Sequence, residues 1–134
     1  MGKTELNDIF VYGHPELQGP FLGADATQQF HNACHIELSG DMPIVFTHND
    51  LCPPNILLSP GENTKVVAII DWNQSGWLPW YWESCKSRQV GLVTDSFSDA
   101  LYDEWQQTYV PAIIDSADDL YYHSFIYFAL SRGM

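Results

Sequence analysis

Apolar residues along this chain follow two rhythms. Phe30, Ala33, Cys34 and Leu38 recur at helical spacing and predict a helix that Gly40 ends. Asp25, with Gln28 three positions on, has the form of a capping box at its start. Residues 98–109 place Leu101, Trp105 and Tyr109 at four-residue steps, an amphipathic helix that Pro111 interrupts. Residues 80–90 read as a helix with Cys85 and Gln89 on one line. Residues 117–131 read as a last one, with Leu120, Tyr121, Ser124, Phe125 and Phe128 facing inward. The other rhythm is a set of short apolar runs at 44–47, 56–58 and 65–70. They predict strands, and the turn residues of 59–63 make the last two a hairpin. Residues 1–22, punctuated by Gly13, Pro15, Gly19 and Pro20, read as an irregular lead-in. The pattern therefore predicts one α+β domain over 1–134, mostly helical, whose body is 23–134.

Composition narrows the class. The 134 residues are 46% apolar and 14% aromatic, which predicts a packed core and excludes a disordered chain. Lys and Arg total 5 against 17 Asp and Glu, a formal net charge of -12. Phosphate backbones need cationic partners, so nucleic acid is excluded as a partner. An acidic face suits a cationic small molecule, although acidity also serves solubility alone. No apolar run reaches the ~18 residues of a membrane span, and the N-terminus lacks an apolar signal core, so the expected location is cytoplasmic. Cys34, Cys52 and Cys85 have no metal-site spacing and are expected as free thiols. His31 and His35 lie one helical turn apart without a third ligand, and neither they nor His14 and His123 form a metal set.

The candidate chemistry lies between the strands. His48-x-Asp50 is followed by four residues and then Asn55, and Asp71 closes the apolar run 65–70. This is the order of a phosphotransferase catalytic loop and its metal-binding strand end, as in H-R-D-x-x-x-x-N followed by D-F-G. Phosphoryl transfer needs a carboxylate that accepts or orients the acceptor's hydroxyl proton, and oxygen ligands for Mg²⁺. Asp50 is the expected base. Asn55 and Asp71 are the expected Mg²⁺ ligands. His48 supports them as a loop organiser bonded to backbone rather than as a proton shuttle. Trp72 and Trp77, nearest this group, can offer ring faces to a cationic substrate or can simply pack. Trp82 reads as architectural.

These residues carry a resemblance. Phe46 to Leu57 and Ile69 to Glu83 follow F-T-H-G-D-L-x-x-x-N-I-L and I-I-D-W-x-x-x-G-x-x-P-x-x-W-E, with Gly76, Pro79, Trp82 and Glu83 in step. The chain thereby resembles the aminoglycoside phosphotransferase and choline kinase-like family, its fungal members above all, over about residues 18 to 130. The resemblance implies a protein-kinase-like C-terminal lobe whose β-hairpin carries the catalytic loop. Two departures stand out. Asn49 occupies the family's glycine position, where Asn tolerates left-handed backbone angles. The family's N-terminal lobe, with its phosphate-covering hairpin, strand lysine and helix glutamate, has no match here.

The expectation is a truncated phosphotransferase-like protein that keeps the acceptor- and Mg²⁺-binding half, without autonomous ATP-dependent kinase activity. A homodimer, or another partner, is expected over the surface the missing lobe would cover. Two other readings remain open. One is an ATP-independent enzyme of small-molecule metabolism using Asp50 and Asp71 as an acid–base pair for isomerisation or cyclisation. The other is a non-catalytic, pseudokinase-like binding protein.

Overall fold

The computed structural model describes residues 4–38, 42–89 and 98–133. Helices surround two small antiparallel sheets of two strands each. The helices are α1 (Pro15–Gln18), α2 (Ala26–Cys34), α3 (Tyr81–Ser87), α4 (Asp99–Glu104), α5 (Val110–Ile113) and α6 (Asp119–Ser131). The strands are β1 (Ile44–Thr47), β2 (Ile56–Leu58), β3 (Val66–Ile69) and β4 (Gly76–Pro79). No helix among the described residues is long and apolar enough to cross a membrane.

The core is built around Trp82 of α3. Its ring meets Phe30 of α2 at 5.1 Å and Phe125 of α6 at 4.9 Å, both edge to face. Such pairs add about 0.5–1.5 kcal/mol each beyond the area they bury. Trp82 is thus the architectural residue expected. The lead-in 1–22 is irregular over much of its length, but it is part of this core. Leu6, Phe10, Val11, Leu17 and Phe21 are buried in it, and Pro15 opens α1. Gly19, at φ 78°, brings the chain back so tightly that a Cβ there would lie 2.8 Å from the Phe21 nitrogen.

Helix α2 departs from expectation at both ends. Asp25 precedes it but makes no side-chain cap, and Gln29 rather than Gln28 reaches Asp25 Oδ1 at 2.8 Å. The helix stops at Cys34 because His35 adopts a left-handed conformation (φ 55°, ψ 36°), well before Gly40, which lies outside the described residues. Leu38 is buried nonetheless, past the helix end.

The hairpin β2–β3 forms as predicted, with an irregularity between Leu57 and Leu58. Strand β1 pairs instead with β4, from Ile44↔Pro79 to Thr47↔Gly76. Helix α3 is shorter than the predicted 80–90, and Val90 falls outside the described residues.

Pro111 does not interrupt its helix. Trp105–Tyr109 form a π turn between α4 and α5, closed by the bond from Val110 N–H to the Trp105 carbonyl. The wider turn accommodates a proline ring that would crowd the carbonyl of an ordinary helix. Trp105 on this helix is buried, whereas Leu101 and Tyr109 are exposed, so the apolar stripe is only partly covered. Helix α6 starts at Asp119, capped by Asp118 Oδ1 accepting from Leu120 N–H at 3.1 Å and Tyr121 N–H at 3.4 Å. This cap leaves Leu120 exposed, contrary to expectation, while Phe125, Phe128 and Ala129 are buried.

Candidate active site

Strand β1 delivers His48 into a loop that the backbone of the neighbouring elements holds tightly. His48 Nε2 lies 2.7 Å from the Ile70 carbonyl, which can only accept, so Nε2 carries the proton. Nδ1 then accepts from Asp50 N–H at 3.2 Å. Both ring nitrogens are thus bonded to backbone. The ring also rests edge-on against Trp72, 4.5 Å between centroids.

Asn49 turns the chain at φ 69°. Its Nδ2 donates to the Gln74 carbonyl at 2.9 Å, while its buried Oδ1 has no partner among the described residues. Glu83 of α3 completes the turn. Its carboxylate accepts from the backbone N–H groups of both His48 and Asn49. Burial pushes the Glu83 carboxyl above its ordinary range, and the two backbone donors partly oppose that shift. The sequence placed Glu83 in a family pattern but gave it no task. Its contacts cross 34 residues and no local spacing reports them.

Asn55 ends a short 3₁₀ turn, Pro53–Asn55. Its Nδ2 donates to the Asp50 carbonyl at 2.9 Å and to Asp50 Oδ2 at 3.2 Å. No hydrogen bond among the described residues occupies Asn55 Oδ1, the oxygen an amide offers a hard cation. The Asn55 carbonyl accepts from Ile70 N–H at 2.9 Å, which brings the next residue, Asp71, beside the loop. Asp71 is exposed, sits at φ 62° and accepts from Asn73 Nδ2 at 2.9 Å. Burial raises the Cys52 thiol pKa most, the Asp50 carboxylate adds to that, the Asn55 backbone N–H opposes it, and the Asp71 carboxylate contributes more weakly.

The loop thus holds Asp50 and Asn55 in contact, and the Ile70 N–H bond to the Asn55 carbonyl sets Asp71 at the adjoining strand end. Among the described residues no three His, Cys, Asp or Glu side chains form a metal cage. An ion here would draw on the amide and carboxylate oxygens of Asn55 and Asp71. Trp72 stacks on Phe46 (6.1 Å, 13°), and Trp77 meets the other side of the group edge-on to Phe46 at 5.6 Å. All three rings stay about half exposed, at 46%, 53% and 49% for Trp72, Phe46 and Trp77, so they form an open aromatic platform and not core. In the sequence Phe46 only opens the family pattern.

Behind the loop lies a buried ion pair. Lys86 Nζ is 2.7 Å from Asp8 Oδ2, and Trp82 Nε1 donates to the same oxygen at 3.1 Å. Lys86 also donates to Gln74 Oε1 at 2.8 Å, which ties this pair to the segment after Asp71. The other histidine pair is no metal site. His31 is buried between the Leu38 carbonyl at 3.2 Å and the Tyr81 hydroxyl at 2.8 Å, and His35 serves as the helix terminator.

The family model described as "Phosphotransferase enzyme family" matches residues 12–119. No curated protein and no solved structure matches the chain.

Proposed function

This chain belongs to the phosphotransferase enzyme family, of the aminoglycoside phosphotransferase-like kind, and we propose that residues 48–55 with Asp71 are its phosphoryl-transfer centre. In this reading Asp50 orients the acceptor's hydroxyl and takes its proton as the new O–P bond forms and the bond from phosphorus to the donor's bridging oxygen breaks, with the nucleoside diphosphate leaving. Asn55 holds Asp50 in place through its Nδ2, and its amide oxygen would be one ligand to the ion. Asn55 and Asp71 fit Mg²⁺ because both offer hard oxygens from adjacent backbone. The ion, when bound, supplies charge neutralisation for the transferring phosphate. His48 and Glu83 fix the loop's shape. The observation that carries the reading is the pair of bonds from Asn55, side chain to Asp50 and main chain to Ile70.

These residues correspond to the acceptor- and metal-binding half of the kinase-like fold, its C-terminal lobe. Transfer from ATP would draw on the nucleotide-binding lobe of the kinase-like fold. The open platform of Phe46, Trp72 and Trp77 beside two carboxylates suits a cationic small-molecule acceptor. Exposed Leu57, Val67 and Ile70 add apolar surface that a second copy or the nucleotide lobe would cover. A second reading keeps the same two carboxylates, Asp50 and Asp71, as an acid–base pair of an enzyme that works without ATP.

Paramagnetic Mn²⁺, standing in for Mg²⁺, tests the centre directly. It should broaden the backbone NMR signals of Asn55 and Asp71 first, and Asp71→Asn should abolish the effect. Broadening spread over the acidic surface, unchanged in Asp71→Asn, would sink the phosphoryl-transfer reading. Activity on a small metabolite that needs no nucleotide, lost in Asp50→Asn, would favour the second.

A further inference from the structure

A concave apolar groove of about 460 Å³ lies between the β2–β3 hairpin and the α4–α5 helix. The hairpin lines it with Ile56, Leu58 and Val66, and the helix with Leu101, Trp105 and Ile113. Leu58, Val66, Leu101 and Ile113 are each more than half exposed, at 56%, 59%, 53% and 52%, so their apolar surface faces solvent across an unfilled gap. The π turn forms part of the wall. It sets Trp105 and Tyr109 side by side, 6.4 Å between centroids, both on the groove. Such turns recur where a helix has been adapted to a site. Among the described residues the one charged group in the lining is Glu104, whose Oε1 accepts from the Tyr109 hydroxyl at 3.2 Å.

We propose that this groove is a binding site for a small amphiphilic amine, with its apolar body between hairpin and helix and its ammonium group at Glu104. The volume falls within the roughly 300–1,000 Å³ of small-molecule sites, and an apolar lining with few polar groups is the usual pattern of such sites. The charge of the ligand follows from the acids present. Glu104 sits on a helix that also carries Asp99 and Asp103, in a chain of net charge -12. An anionic amphiphile of the same shape would meet repulsion there. The groove does not depend on the phosphoryl-transfer reading, since none of Asp50, Asn55 or Asp71 lines it; Pro53 is its one residue from the loop.

Calorimetric titration of the whole chain with 4-phenylbutylamine, 4-phenylbutanol and 4-phenylbutyrate, without metal or nucleotide, tests the site. The amine should bind saturably at one site and at least tenfold more tightly than the carboxylate. Leu101→Gln combined with Ile113→Gln, both at exposed positions, should weaken the amine at least tenfold with the melting temperature held. Glu104→Gln should bring the amine down to the affinity of the alcohol. Absence of saturable binding, equal binding of amine and carboxylate, or an affinity untouched by the double variant would each overturn the proposal. So would light scattering that shows a dimer which the double variant converts to monomer, because the occupant would then be another copy.

Discussion

The Glu83 carboxylate spans the backbone N–H groups of His48 and Asn49, with Oε1 3.0 Å from the Asn49 nitrogen. One side chain of α3 thus sets the entry of the loop that carries Asp50. Replacement by Gln keeps the volume but turns an N–H donor towards an N–H donor. Hydrogen bonds to a charged group are worth about 1.5–3 kcal/mol each, and Glu83→Gln should lose about that much stability in urea unfolding. A variant with wild-type stability would show that the loop holds its shape without this contact.

Asn49 tests the same turn from within. Its φ of 69° is strained for most side chains, and its Nδ2 bond to the Gln74 carbonyl helps it stay there. Asn49→Gly should relieve strain while it loses that bond, with a net change within about 1 kcal/mol. Asn49→Ala loses the bond and keeps the strain, and should cost about 1–2 kcal/mol more than the glycine variant. Equal melting temperatures for the two variants would contradict a backbone origin.

What the sequence revealed follows the range of the interactions involved. The contact of Asp50 with Asn55 was legible because it is local, Asn55 Nδ2 to the Asp50 carbonyl five residues away. The hairpin β2–β3 was legible for the same reason, its turn being short and polar. Strand β4 was not, because its two apolar residues lie between Gly76 and Pro79, which signal a turn. Only the partner β1, 29 residues away, makes it a strand. The burial of Leu6, Phe10 and Val11 was hidden likewise. Their irregular backbone shows no period, and the packing surface that buries them comes from α3 and α6. The π turn at Trp105–Tyr109 escaped because Pro111 alone reads as a stop, and nothing nearby announces the extra room in the preceding turn.

The Asp8–Lys86 pair joins the lead-in to α3 at a site where both side chains are almost fully buried, 0% and 9% exposed. Lys86→Met would leave a buried carboxylate facing only Trp82 Nε1 and the Phe10 N–H. Loss of one partner of such a pair costs about 3–5 kcal/mol. The double variant Asp8→Leu with Lys86→Met should recover much of that loss, since neither charge then remains buried. Urea midpoints for the three variants form the cycle, and additive losses would show that the two charges act independently.

The three thiols should separate by exposure. Burial pushes Cys34 and Cys85 up to about 12, and Cys52, half-buried in the loop, is raised for the same reason with help from Asp50. At pH 8 a thiol of pKa 12 is roughly one part in 10⁴ thiolate, and thiolate is the reactive form. A maleimide at pH 8 should therefore modify Cys52 first, as a single slow adduct by mass spectrometry. Cys34 and Cys85 should follow only in denaturant. Rapid triple labelling of the native protein would place the buried pair at the surface.

His31 gives the fold an acid sensitivity that can be isolated. Nδ1 donates to the Leu38 carbonyl, so Nε2 must accept from the Tyr81 hydroxyl, and the ring is neutral as it stands. Burial lowers its pKa below the ordinary 6.5, and the bond to Leu38 only partly offsets that. The unfolded chain then binds a proton at a higher pH than the folded one does. The contribution is fully present above about pH 6.5 and is lost as pH falls through the lowered value in the fold. Glu83, with its raised carboxyl, acts in the opposite sense: its contribution is present at low pH and lost as pH rises. A comparison with His31→Gln cancels that background, because Gln offers one donor and one acceptor without titrating. Wild type should lose stability relative to His31→Gln when urea midpoints are taken at pH 7.5, 6.5 and 5.5. Parallel curves for the two proteins would mean that the ring at position 31 reaches solvent and titrates as freely in the fold as outside it.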